Sequence, residues 1–223
     1  MSESGDLENI EKSILSTGIR VGTPVKTKFM TPFITKATPE GLYIIDIKKT
    51  LSRIQTAAKF INRSEISKVI VCSGREYANT PIEKFCEMTG ATPMLGRFMP
   101  GTLTNPLLPY YIEPQLVLVS DPQTDAQAVL EATNAGIPVI GLSNTDNVTS
   151  KLDLIIPANN RGRKSIATTY WLLAREVLMQ KGQLKDGESL KYGIDDFETK
   201  IVEEEIEEEP IRKTPRFERS KRQ

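Results

Sequence analysis

The chain has 223 residues, 39% hydrophobic and 26% charged, with 29 Lys+Arg against 29 Asp+Glu and no histidine. This length suits one domain with appendages and a sizeable core. Without histidine the chain lacks the commonest general base, the commonest metal ligand and every Ser-His or Cys-His pairing, which tilts the reading from catalysis toward binding.

The zero net charge conceals a sorted chain. Residues 1–17 sum to −3, residues 18–194 to +6, residues 195–209 to −8 and the last fourteen to +5. A basic body with charged tails fits a polyelectrolyte partner better than a small metabolite. The longest apolar runs are about four residues, as in LVLV (Leu116–Val119), too short for a membrane span. The acidic start MSESGDLENIEK lacks a signal-peptide apolar region, so the cytoplasm is the expected compartment. Cys72 and Cys86 are too few for a zinc site and read as buried small hydrophobes.

In chain order, residues 1–17 form an acidic extension and 18–41 a Thr-, Pro- and Lys-rich arm. LYIIDI (Leu42–Ile47) reads as a buried strand, followed by helical spacing of Leu51, Ile54, Ala57, Ala58 and Ile61. KVIVCSG (Lys68–Gly74) is a second strand. TPIE (Thr80–Glu83) has the form of a capping box opening a helix that ends near Gly90. QLVLVSD (Gln115–Asp121) is a third strand, and TDAQ (Thr124–Gln127) opens a helix closed by Gly136 and Pro138. PVIGLS (Pro138–Ser143) and LDLIIPA (Leu152–Ala158) are short strands joined by a loop, and a long last helix follows to Leu178.

Near-continuous apolar strands alternating with helices predict a parallel sheet covered on both faces: an α/β, flavodoxin-like three-layer sandwich with five parallel strands over residues 18–182. Residues 90–114, with five Pro and three Gly, show no period but are apolar enough to predict an ordered binding loop. The tail from 183 to 223, with EEEIEEE at Glu203–Glu209, is expected to be disordered.

The strand carboxyl ends, where α/β sheets take ligands, carry neither a Walker loop nor G-x-G-x-x-G. Asp46 and Asp121 there read as helix caps rather than as a catalytic carboxylate pair. The last helix instead opens on Arg161, Arg163 and Lys164, where backbone N–H groups already make the helix start positive. Such a cluster calls for an anion from outside, and phosphate oxygens suit both N–H groups and Arg forks. Lys48, Lys49 and Arg75 also follow predicted strands, while Lys26 and Lys28 lie on the arm and Arg97 beside Phe98 in the loop. Thr102, Thr104 and Asn105 add neutral donors of the kind that contact phosphate and ribose. The set fits an extended phosphate track. The rival reading is a small phosphate-ligand enzyme or sensor on the same fold.

Three segments carry a resemblance: GLYIIDIKKT (Gly41–Thr50), GRFMPGTLTN (Gly96–Asn105), and GIPVIGLSNTD (Gly136–Asp146) with DLIIPANNRGRKSI (Asp153–Ile166). From about Gly18 to Leu178, in unbroken order, the chain resembles the universal second protein of the small ribosomal subunit, in the archaeal form akin to eukaryotic ribosomal protein SA. It lacks the coiled-coil insertion of bacterial members, and Arg20 stands where many members carry His. The resemblance implies a cytoplasmic, ribosome-bound, non-enzymatic protein with no cofactor or small-molecule substrate. It implies binding to 16S ribosomal RNA, through the phosphate track above, and to neighbouring ribosomal proteins.

Overall fold

The computed structural model describes residues 16–184 and 190–199. Strands β1 (Ile34–Ala37) and β2 (Tyr43–Ile45) form an antiparallel pair, and helix α1 (Ile47–Arg63) follows directly. Next come β3 (Val69–Ser73), α2 (Asn79–Thr89), β4 (Thr92–Leu95), β5 (Leu116–Val119), α3 (Ala126–Asn134), β6 (Val139–Ser143), β7 (Leu154–Pro157) and α4 (Arg163–Gln180). Five of the strands make one parallel sheet in the order β4-β3-β5-β6-β7. Counted within the sheet this is the 2-1-3-4-5 order of flavodoxin-like folds.

The five-stranded parallel sheet and the three layers match expectation, but one strand changes identity. LYIIDI, read as a sheet strand, pairs instead with β1, and Asp46 caps α1 by accepting from the Lys48 N–H at 3.1 Å. Its place is filled by Thr92–Leu95, from the segment read as loop. Pro93 sits in that strand because β4 is an edge, where the missing N–H breaks no ladder bond. The TPIE capping box does not form: α2 begins earlier, at Asn79, with no side-chain cap.

Strand alternation sends Val69, Val71, Leu116, Leu118, Ile140, Leu142 and Ile156 to one face, under α1, α2 and α4. Tyr170 of α4 is fully buried there, edge-on to Phe85 at 5.8 Å, and its hydroxyl shares a 2.6 Å hydrogen bond with Ser120 Oγ. Ile70, Cys72, Val117, Val119 and Val139 face the other way, where the only covering helix among the described residues is α3. The remaining cover is the 96–114 loop, through Phe98, Leu103 and Ile112. Buried Glu131 of α3 fixes that loop, accepting from the Gly101 N–H at 2.8 Å and the Leu103 N–H at 3.2 Å. Gly101 has φ +90° and an added Cβ would lie 2.7 Å from Leu108 Cδ1, so only glycine fits.

Residues 190–199, read as part of a disordered tail, fold back on the domain. Phe197 is fully buried in the main core, and Trp171 Nε1–H donates to the Tyr192 carbonyl at 3.0 Å. Buried Leu190 and the Thr199 hydroxyl, which donates to the Tyr77 carbonyl at 2.9 Å, add to this anchor. The rest of that tail, 185–189 and 200–223, and the acidic extension to residue 15 lie outside the described residues.

The crevice between the ends of β3 and β5, the switch point of this topology, is filled by the chain itself. Asp121 pairs with Arg75, and also accepts from the Gln123 N–H, Thr124 Oγ1 and Asn147 Nδ2. Burial pushes its pKa up, but the hydrogen bonds and the Arg75 charge outweigh this and hold it below 3.8. Asp121 therefore caps a turn and not the helix, which starts only at Ala126. Asp125 accepts from the Gly74 N–H at 2.7 Å, yet burial and then the Asp121 charge, only partly offset by that bond, raise its pKa to about 6. Burial likewise pushes the Cys86 thiol to about 12 and Cys72 higher still, consistent with inert core thiols.

The folded chain holds the Asp125 proton up to about pH 6, whereas an unfolded Asp releases it near 3.8. Folding therefore takes up a proton in that window, and this group's effect lowers stability as pH rises through it. Asp125→Asn keeps the acceptor for Gly74 and removes the charge. It is expected to raise stability at pH 7 by up to about 3 kcal/mol, the gain shrinking toward pH 4; urea unfolding across that range checks this, and a pH-independent difference contradicts it. Glu131→Ala should lower stability by about 2–3 kcal/mol, because two loop N–H groups lose a charged acceptor. Limited proteolysis of that variant should cut between Met99 and Tyr111.

Candidate nucleic-acid interface

The arm is laid across the carboxyl edge of the sheet by backbone geometry. The Gly22 N–H donates to the Tyr43 carbonyl at 2.8 Å, the Thr27 N–H to the Thr145 carbonyl at 2.8 Å, and the Asn159 N–H to the Ile19 carbonyl at 2.8 Å. Gly22 allows this approach: a Cβ there would lie 2.5 Å from Thr145 Cγ2 and 2.7 Å from the Tyr43 carbonyl oxygen. Beneath the arm a buried amide network joins the ends of β6 and β7. Asn147 Oδ1 accepts from the Asn144 N–H at 2.7 Å and from Asn160 Nδ2 at 3.0 Å, and Asn159 Oδ1 accepts from the Arg161 N–H at 3.0 Å. These amides were not singled out by sequence; the spacing NTDN…NN was the available signal.

The predicted site residues divide by their surroundings. Arg163 and Lys164 are exposed at the start of α4, whose N-cap is Gly162 with no side-chain cap and whose first turn holds no acid. Arg161 is exposed and forms an ion pair with Asp146. Lys48 and Lys49 are exposed at the start of α1, with Lys49 Nζ donating to the Pro32 carbonyl. Lys28 on the arm is exposed, and so is Lys26, whose Nζ stands 5.0 Å from the Tyr43 ring centroid.

Arg97, Thr104 and Asn105 are exposed on the loop, although Asn105 Oδ1 accepts from the Leu107 N–H at 3.1 Å. Two residues have other tasks. Thr102 is buried, its hydroxyl donating to the Met99 carbonyl at 2.6 Å, so it holds the loop's shape. Arg75 is turned inward onto Asp121, filling the crevice. Apart from these, the cations lie after β4 and β7, on the arm bonded to the ends of β6 and β7, and at the start of α1, whose Thr50 hydroxyl donates to the Pro157 carbonyl at the end of β7 at 2.7 Å; together they make up a cationic rim. With the crevice filled by two carboxylates, that rim can grip an extended anion but offers no enclosed phosphate cradle.

Exposed apolar side chains adjoin this rim: Val25 and Phe29 on the arm, Val148 after the amide network, and Met99 and Leu107 on the loop, the last 91% accessible. Scattered exposed apolar residues are ordinary, but Val148 stands beside an arm segment bonded to Asn147, since Thr27 Oγ1 donates to that residue's carbonyl at 3.0 Å. Cations and apolar groups together suit a partner with both charge and flat apolar surface.

The family described as Ribosomal protein S2 matches residues 14–107 and 110–179. The chain is 69% identical over 207 residues to the small ribosomal subunit protein uS2 of Nitrosopumilus maritimus, covering 93% of this chain and 100% of that protein. It is 57% identical over 200 residues to uS2 of Cenarchaeum symbiosum, covering 90% and 96%. With uS2 of Thermoplasma acidophilum it shares 48% over 191 residues, covering 86% and 96%. Matched over most of its length and by relatives far above the threshold for shared ancestry, the chain belongs to the ribosomal protein S2 family in its archaeal form, the counterpart of eukaryotic SA.

Proposed function

We propose that the protein is a structural, non-catalytic component of the small ribosomal subunit in the cytoplasm, binding 16S ribosomal RNA along its cationic rim and neighbouring ribosomal proteins around it. The observation that carries this reading is the division of charge at the sheet's carboxyl edge. Asp121 and Asp125 fill the crevice that would take a small phosphate ligand, while Arg163, Lys164, Lys48 and Lys28 are exposed to solvent. A cradle that binds phosphate without a metal needs the reverse arrangement, with N–H and cationic donors facing the phosphate oxygens. The relatives' membership of the small subunit supports the same assignment.

Within the rim, Arg163 and Lys164 carry the RNA contact most directly, joined by Arg97, Thr104 and Asn105 on the loop and Lys26, Lys28, Lys48 and Lys49 on the arm and α1. Arg161 contributes after sharing its charge with Asp146, whereas Thr102 and Arg75 act by holding the loop and the crevice. Arg163→Ala with Lys164→Ala should weaken association with small-subunit RNA and lower the slope of log K against log salt by about 1 to 2 units, each phosphate contact contributing somewhat under one. Thermal stability should equal or slightly exceed that of the parent, both side chains being exposed and set at a helix start that disfavours cations. An unchanged salt slope with intact folding would remove these residues from the interface.

A further inference from the structure

The 96–114 loop covers the sheet and, with the end of β4, also shapes a cleft of its own. That cleft, of about 240 Å³, is lined by Met94, Arg97, Phe98, Met99, Thr102 and Tyr110 among others. Met94 and Phe98 are half-buried and packed against the core on that face of the sheet, so two of its walls are fixed. The backbone around it is fixed as well. Glu131 accepts from the Gly101 and Leu103 N–H groups, and the Ile112 N–H donates to the Thr102 carbonyl at 3.0 Å. Met99 and Tyr110, 52% and 42% accessible, are the large apolar side chains of the lining that face solvent. Among the described residues the Tyr110 side chain makes no hydrogen bond, and the exposed Arg97 side chain makes neither a hydrogen bond nor an ion pair.

Size and lining together limit the occupant. The cleft is smaller than the roughly 300–1,000 Å³ usual for drug-sized ligands, so it suits one flat ring system or one side chain. Its walls offer a phenyl ring, a phenol ring and two thioethers, surfaces on which a heterocycle stacks well. Arg97 is the one charged residue between Glu87 and Glu113, and its planar guanidinium can lie on a base or fork onto a phosphate. A side chain of a neighbouring protein would fill the same space. The unpaired cation, and the exposed Thr104 and Asn105 on the same loop, fit a nucleotide better: base inside, ribose and phosphate outside.

We propose that this cleft takes one unpaired RNA base, stacked against Tyr110 and Phe98, with Arg97 at the adjoining phosphate. This rests on the RNA-binding reading of the rim and deepens it. The rim grips backbone through charge, whatever the RNA's shape; the cleft requires a base free to leave its stack. A regular duplex cannot supply one, so the loop selects a bulge, a hairpin loop or a strand end.

The test uses the full chain and two single-stranded probes of about ten nucleotides: oligo(rA), and an abasic ribose-phosphate strand of equal length and charge. Binding is followed by fluorescence anisotropy. The parent should bind oligo(rA) roughly five- to thirtyfold more tightly than the abasic strand. Tyr110→Ala should bring that ratio close to one, whereas Tyr110→Phe should keep it, because the ring face and not the hydroxyl makes the stack. The slope of log K against log salt should be the same for parent and both variants, no phosphate contact having been lost. Arg163→Ala with Lys164→Ala should weaken both strands by the same factor and leave the ratio intact. In the unaltered chain, a strand carrying 4-thiouridine should photocross-link to Phe98, Met99 or Tyr110, a readout independent of how any variant folds; links confined to the arm and the start of α4 overturn the proposal. A ratio that survives Tyr110→Ala leaves the cleft to a protein side chain and overturns it too. Equal binding of both strands by the parent removes the cleft but keeps the rim, while failure of both strands to bind removes the rim reading with it.

Discussion

Asp121 is 1% exposed, and its carboxylate can stay ionised there only because Arg75, Thr124, the Gln123 N–H and Asn147 all reach it. Those four donors come from the ends of β3, β5 and β6, so satisfying one charge fixes the relative position of three strand ends. Asn147 then passes the constraint on, through Asn144 and Asn160, to the end of β7. Asn147 and Asn144 each both donate and accept, while Asn160 donates to Asn147 and to the Leu142 carbonyl, which is how a buried network can be extended without leaving most of its members unpaired. Arg161 and the start of α4, with Arg163 and Lys164, follow directly on the last link of it. The cationic rim is thus positioned by a neutralised anion underneath.

The same economy governs the other face of the sheet. With α3 the only described helix there, Val117, Val119 and Ile70 need a further apolar cover, and the 96–114 loop supplies it. A loop in that role must bury backbone groups, and Glu131 accepts from two of them where a helix would have satisfied its own. The consequence for function is a separation within one segment. Leu103 and Phe98 turn inward and Thr102 bolts the turn, while Arg97, Thr104 and Asn105 remain outside on a backbone too constrained to collapse. An ordered display of donors costs less entropy on binding than a flexible one.

The sequence made the sheet's interior legible because buried parallel strands are continuous apolar runs; VIVCS, LVLV and VIGLS lie where they were expected. It hid the edges. Thr92–Leu95 contains a proline and is too short to show a period, while LYII is as apolar as any central strand yet is captured by β1 in a local antiparallel pair. Phe197 was equally invisible: a lone aromatic among acids has no pattern, and only the slot left between the helices gives it value. Of the site, the residue types were readable but their directions were not. Arg75 and Arg163 look alike in a sequence, and what separates them is the acid at Asp121, 46 positions away. The resemblance in the loop and strand-end motifs fixed the family, but it could not say which conserved-looking polar residues face outward.

The cations at the start of α4 pose the last electrostatic question. A helix start with no acid in its first turn and Arg163 and Lys164 exposed is locally unfavourable by up to about 1 kcal/mol for each charge. The fold relieves part of this from outside the helix, through Asp146 on Arg161, and Asp195 and Glu198 line the same groove as Lys164. The Arg161 side chain is about half exposed, so its pairing with Asp146 stays open to exchange. A cluster stabilised only by weak, replaceable anions is poised to accept a stronger one, because a row of phosphates exchanges scattered carboxylates for several charge-assisted bonds and releases counterions as it does so. On the proposed reading, the instability of this helix start in isolation is what the RNA backbone relieves.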